Sequence, residues 1–237
     1  QISILSDQYF AEKGIEARPF LDGKYLLVGS SLCGGKSYAL LEQFFRRVVK
    51  AVTGEDSSLY PVMEQFAKTG KEQSNRISED RKLKIRTTFD GTTTDPKSSG
   101  SIQGLTSDNF TPEAFTYGIL EGMGDELYQM YRTIKNGTGI QIKNLIGSGN
   151  GVRKNPVFCE MLEELFTFTK LKNDSFHLFS SCPYCPQFSI FFCFSGYGHI
   201  EQTVNNKGTR QSDNKTDKCY YSDILTASLF NERKIIC

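Results

Sequence analysis

No apolar run in this 237-residue chain approaches the roughly eighteen uninterrupted residues of a membrane-spanning helix, and no signal-peptide pattern opens it. Nor is there an excess of one charge. The 28 Lys and Arg residues against 27 Asp and Glu leave a net charge of +1, which gives no electrostatic case for nucleic acid or an anionic membrane as partner. An initiating methionine is also missing: the chain starts at Gln1 and is expected to be an excerpt of something longer. A cytoplasmic protein of one large or two small domains is the expectation, with its partners to be argued from motifs. The seven cysteines are an odd number, and five of them (Cys182, Cys185, Cys193, Cys219, Cys237) fall in the last third of the chain. Cys33 and Cys159 sit in apolar, periodic surroundings where a thiol behaves as a small buried hydrophobe.

Residues 24–32 (KYLLVGSSL) are short, apolar and β-compatible, and Cys33-Gly34-Gly35 follows them before a helical pattern. Leu40, Leu41, Phe44, Phe45, Val48 and Val49 then recur at three- and four-residue steps, which predicts a helix over 36–52 with one buried face. Residues 54–82 are mixed in character, with a short helical candidate at 58–68, and read as a variable surface connection. Leu83, Ile85, Thr87 and Phe89 alternate with polar neighbours, the period of a half-buried strand. A loop follows to Gly100.

Thr111-Pro112-Glu113 is a strong helix start: a hydroxyl cap, a proline at the first helical position and an acid in the first turn. The helix should run to about Lys135 with a core stripe of Phe115, Ile119, Leu120, Met123, Leu127, Met130, Tyr131 and Ile134. Gly118, Gly122 and Gly124 within it either allow close approach of a neighbour or are tolerated defects. A second strand over 141–146, a glycine loop at 147–151 and a helix over 155–166 repeat the strand, glycine turn and helix arrangement. Strands alternating with helices predict a mixed α/β domain with helices on a sheet.

Glycine-rich turns between strand and helix let backbone N–H groups approach an anion; they also serve as plain tight turns. Residues 30–37 (SSLCGGKS) come near the P-loop pattern, but Ser30 stands where its first glycine belongs, so a P-loop nucleotide hydrolase using Lys36 is only a rival possibility. Val152 likewise breaks the dinucleotide fingerprint in the second turn.

Three segments in order and spacing carry a resemblance: 22–45 (DGKYLLVGSSLCGGKSYALLEQFF), 89–123 (FDGTTTDPKSSGSIQGLTSDNFTPEAFTYGILEGM) and 142–166 (IKNLIGSGNGVRKNPVFCEMLEELF). They look like the C-terminal domain of the FGGY carbohydrate kinases, sedoheptulokinases most of all, over residues 1–166. The resemblance implies an RNase H-like, actin-type ATPase lobe that binds ATP with magnesium. A missing N-terminal lobe would hold the sugar and the catalytic aspartate, so the chain alone should be inactive. It further implies that Gly149, Asn150, Gly151 and Asn155 border the adenosine, and that Gly35 closes over the nucleotide from the other turn. Asn155 is also a favoured helix cap. A non-catalytic protein that retains only the fold is the competing expectation, and no metal-ligand set is assigned.

The resemblance breaks in several places. Thr93 stands where the family's F-x-G-x-R-x-P turn has arginine. Residues 2–8 (ISILSDQ) occupy the place of a phosphate-contacting turn, with Ile4 and Leu5 replacing small hydroxyl residues, and Asp7 as general base is weaker than Asp7 as a solvated carboxylate. Beyond residue 166 the family's closing strand and helix are not found. Residues 167–237 read as a non-family tail of poor order without helix or strand periodicity. Its Cys182-Pro183-Tyr184-Cys185 supplies two thiolates where structural zinc needs four ligands, and His177, His199, Cys193 and Cys219 are irregularly spaced.

Overall fold

In the computed structural model the chain opens on alternating strands. β1 (Ile2–Ser6), β2 (Ile15–Pro19) and β3 (Tyr25–Gly29) precede α1 (Gly34–Thr53) and α2 (Tyr60–Ser74). A small hairpin of β4 (Lys84–Arg86) and β5 (Ser101–Gln103) leads to the long α3 (Pro112–Thr138). β6 (Asn144–Gly149), α4 (Asn150–Arg153) and α5 (Pro156–Phe166) follow, and β7 (Lys172–Asn173) and β8 (Ser189–Phe194) close the order. The structure describes residues 1–142, 144–166, 172–173 and 189–194, all within one compact unit built from 1–174 and 187–196.

The main sheet has the order β2-β3-β1-β8-β6-β7. Each of the first four strands is antiparallel to its neighbour, whereas β8, β6 and β7 run parallel. This is the mixed α/β architecture that the alternation of strands and helices predicts. One line of register crosses the sheet: Gly29 faces Ile2, Ile2 faces Phe192 and Phe192 faces Gly147. Because β1 and β8 are antiparallel, β3 and β6 point the same way. Both glycine turns therefore leave the same edge of the sheet, their strands three spacings or about 14 Å apart.

α3 organises the core. Its start is fixed by Thr111, whose Oγ1 accepts from the Ala114 N–H at 3.2 Å, with Pro112 at the first helical position. Thr111→Ala should therefore cost about 1 kcal/mol in chemical denaturation. An unchanged midpoint would show that the cap is dispensable. Ile119, Leu120, Met123, Leu127, Tyr131 and Ile134 are buried as the helical period requires. They pack with Ile2, Ile4 and Leu27 of the sheet and with Phe158, Leu162 and Phe166 of α5 in one cluster. The Phe166 ring lies 5.3 Å from that of Tyr128 and 5.4 Å from that of Tyr131.

Several expectations need correction. Residues 54–82 are not merely a surface connection: α2 buries Met63, Ala67 and Gly70. A Cβ at Gly70 would strike the Glu113 carbonyl oxygen and approach Tyr117 Cβ at 2.7 Å, so α2 lies directly against α3. A row of small residues, easily mistaken for loop composition, is what allows that approach. In α1 the buried side is Ser37, Leu41 and Glu42, while Phe44 and Val48 are 60% and 51% exposed. Among the described residues the apolar stripe is thus wider than the seam that covers it. β6 begins and ends three residues later than its apolar run suggested, because the backbone ladder with β8 continues through Gly147, Ser148 and Gly149. Ladder hydrogen bonds need no side chain. Residues 189–194 form a strand within the sheet, although the tail shows no strand periodicity. Most of the tail's CxxC and histidine candidates lie outside the described residues; of Cys193 only the backbone is described, in β8.

Candidate functional site

The first turn runs from the end of β3 to α1. Ser31 organises it: its Oγ accepts from the Gly34 N–H at 2.9 Å and donates to Glu126 Oε2 of α3 at 2.8 Å. Gly34 itself has φ 36°, left-handed backbone that suits glycine. Gly35 follows, half-buried, in the first turn of α1. Lys36 does not act as a P-loop lysine would. Its Nζ pairs with Asp90 Oδ2 at 2.7 Å, and β3 is antiparallel to both neighbours, unlike the strand that feeds a P-loop.

The second turn is shorter than the sequence suggested. Gly149 closes β6 at φ 91°, a conformation that a side chain would strain, and Asn150 opens the four-residue α4. Gly151 lies in α4, and Asn155 stands just before α5. Asn155 is 7% exposed, and its Oδ1 accepts from the Phe158 N–H at 3.1 Å. The capping role expected of this residue type is therefore present. α5 is anchored again by Cys159, whose thiol donates to the Val152 carbonyl at 3.0 Å. Cys33 and Cys159 are both buried, as their apolar surroundings implied.

The two turns meet through Tyr38, one helical turn beyond Gly35. The Asn155 side chain lies near its phenol, and its ring stacks on Tyr60 at the start of α2 with centroids 6.1 Å apart and planes 20° from parallel. Burial chiefly, with Tyr60 and Glu64 adding to it, pushes the Tyr38 phenol well above its ordinary value despite the opposing Asn155 contact. The α2 start is itself tied to α1: buried Glu42 accepts from the Leu59 N–H at 3.1 Å. Asn155 thus lies near the helix of Gly35, with Gly149, Asn150 and Gly151 just upstream of Asn155.

Residues 2–6 depart from the phosphate-turn expectation. They form a strand with Ile2 and Ile4 fully buried, because alternating isoleucines satisfy the sheet face better than a turn. Asp7 is exposed beside Lys24, Oδ1 to Nζ 3.3 Å, as a solvated carboxylate would be. A different acidic group escaped the sequence argument. A cleft of about 1000 Å³ along α3 and β4 is lined by Glu121, Asp125 and Glu126 together with Lys82, Lys84 and Arg86. Helical spacing places these acids on one side of α3, but nothing in the sequence says that β4 lines the same cleft. Among the described residues no group of three or more His, Cys, Asp or Glu side chains is placed to hold a metal ion.

A sheet antiparallel on one side and parallel on the other, with glycine turns at one edge, defines this as a mixed α/β domain. The xylulose kinase of Bifidobacterium adolescentis superimposes with TM-score 0.54 at 16% identity, over 70% of this chain and 30% of that one. The gluconate kinase of Lactobacillus acidophilus gives TM-score 0.54 at 19% identity over 70% and 31%. The xylulose kinase of Rhodospirillum rubrum gives 0.52 at 15% identity, again over 70% and 31%. This chain belongs to the FGGY family of carbohydrate kinases: residues 11–166 match that family's C-terminal domain. The match spans under a third of those kinases' length. No curated protein sequence matches the chain.

Proposed function

We propose that residues 1–166 are the nucleotide-binding lobe of an ATP-dependent sugar kinase that acts on a ketose such as sedoheptulose in the cytoplasm. Residues 167–237 would be an appendage outside the family domain. The observation that carries this proposal is the convergence of the two glycine turns at one sheet edge, with Asn155 near Tyr38 of the helix that follows the first turn. The residues fit adenosine in kind. The Asn155 amide keeps hydrogen-bonding capacity beyond its oxygen's contact with the Phe158 N–H, and Gly149 and Gly151 keep the neighbouring backbone free of side chains. Magnesium would arrive on the nucleotide's own phosphates, and the catalytic aspartate and sugar pocket would come from an N-terminal lobe. Phosphoryl transfer of this kind relies on positioning and charge neutralisation, so this chain by itself should bind nucleotide and transfer nothing.

Isothermal titration with magnesium ATP tests the proposal. The wild-type chain should bind, and Asn155→Ala should weaken binding about tenfold while the lost cap costs about 1 kcal/mol of stability. Lys36→Ala should leave affinity unchanged; its loss there would instead favour a P-loop. No affinity in the wild-type chain would favour the non-catalytic alternative, for which the buried Ile2 and Ile4 in place of a phosphate-contacting turn are the supporting observation.

A further inference from the structure

A pocket that includes no residue of either glycine turn lies between the last turn of α2 and the first three turns of α3. The two helices come together at Gly70, where an added Cβ would strike the Glu113 carbonyl oxygen. α2 ends four residues later, at Ser74, and the chain turns back towards β4. The space left beside that contact is about 310 Å³. It would hold roughly ten waters at about 30 Å³ each, far more than a packing fault in a close-packed interior.

The rim of this pocket is fixed on two sides. Buried Asn109 accepts from the Thr106 N–H through Oδ1 at 2.8 Å and donates through Nδ2 to the Gly104 carbonyl at 2.7 Å and the Arg81 carbonyl at 3.4 Å. The loop 104–109 is thereby tied to the segment before β4. At the end of α2 the carbonyls of Lys71, Gln73 and Ser74 accept from the N–H groups of Asn75, Arg76 and Ile77. The helix end therefore brings side chains to the pocket rather than bare backbone acceptors. Buried Leu83 and Tyr117, with half-buried Ile77 and Ala114, supply its apolar wall.

The charges of the lining are unequally matched. Asp108 pairs with Arg81, Oδ2 to Nη2 3.4 Å, and Lys82 pairs with Glu79. Burial raises the Glu121 carboxyl to about 7, which weakens its negative charge at neutral pH. Arg76 lines the pocket, is exposed, and among the described residues its guanidinium meets no carboxylate. We propose that this pocket binds a small organic carboxylate of about ten to fifteen non-hydrogen atoms, its charged end on the Arg76 guanidinium and its apolar body against Ile77, Leu83 and Tyr117. A planar carboxylate matches the fork of the guanidinium. A phosphate ester would bring up to two charges to one free base, with Asp108 and Glu121 in the same lining. The site is separate from the nucleotide reading and stands without it.

The test titrates the full chain with sodium 3-phenylpropionate and with its neutral isostere 3-phenylpropanamide, read by ligand-observed NMR. The carboxylate should bind saturably with Kd on the order of 1 mM or below, and about tenfold more tightly than the amide. Arg76→Gln alters an exposed side chain; it should bring the carboxylate down to the affinity of the amide and leave Tm unchanged. Ala114→Leu, which fills the space beside the apolar wall, should abolish binding of both; if that variant does not fold, Arg76→Gln decides alone. No saturable binding of the carboxylate, equal affinities for the two probes, or wild-type affinity in Arg76→Gln would overturn the proposal.

Discussion

Gly122→Ala should destabilise the domain by about 2–4 kcal/mol, despite the gain of up to about 1 kcal/mol that alanine brings to a helix interior. A Cβ at this position of α3 would overlap the carbonyl oxygen of Ile85 in β4 and lie 3.1 Å from Thr87 Cγ2. A backbone carbonyl cannot swing aside as a side chain can. β4 would have to lift from the helix, exposing Leu83 and Ile85, which are 6% and 5% exposed. Gly124→Ala is the internal control, because its nearest neighbour would be Met161 Sδ at 3.5 Å, ordinary contact with a flexible side chain. Denaturant melts should therefore show a large loss at Gly122 and none at Gly124. Equal midpoints for the two variants would mean that the α3–β4 contact is loose.

Glu121→Gln should stabilise the domain at alkaline pH and hardly at all near pH 4. Burial is the main cause that lifts the Glu121 carboxyl from 4.5 to about 7. Lys82 opposes the shift, Asp125 and Glu79 reinforce it, and a hydrogen bond with the Tyr117 hydroxyl opposes it again. Between those two values the folded protein holds a proton that the unfolded chain has released. Stability therefore falls as pH rises through this window and levels off above about 7. Glutamine stays neutral and can still accept from Tyr117. After allowance for the part of Glu121 that solvent reaches, the gain at about pH 8 is on the order of 2 kcal/mol. Urea titrations at about pH 4 and pH 8 would read it, and an equal gain at both would show that desolvation of the charge is not the cause.

Much of the architecture was legible residue by residue. Thr111-Pro112-Glu113 marked the start of α3, and its apolar period named the buried face, because a cap and a helical repeat are local properties that tertiary packing here reinforces. Ile85 and Thr87 likewise announced their own burial. α2 was less legible: its contact face consists of Ala67 and Gly70, whose value lies in what they lack, and only the nearness of Glu113 and Tyr117 reveals it. The excess of apolar residues on α1 misled for the opposite reason, since period alone cannot say how wide the covering surface is.

At the candidate site, asparagine before an amphipathic helix was readable as a cap, and the glycines as turns. Tyr38 was not, because nothing in one chain segment states which partner lies across from it. The sequence by itself determined the helices, the turns and the family, since those depend on short-range spacing and residue type. Tertiary structure alone decided that the ends of β3 and β6 share an edge, that Tyr38 lies near Asn155, and that three acids of α3 line one cleft with β4. Each of these depends on strand direction and helix contact between residues far apart in the chain.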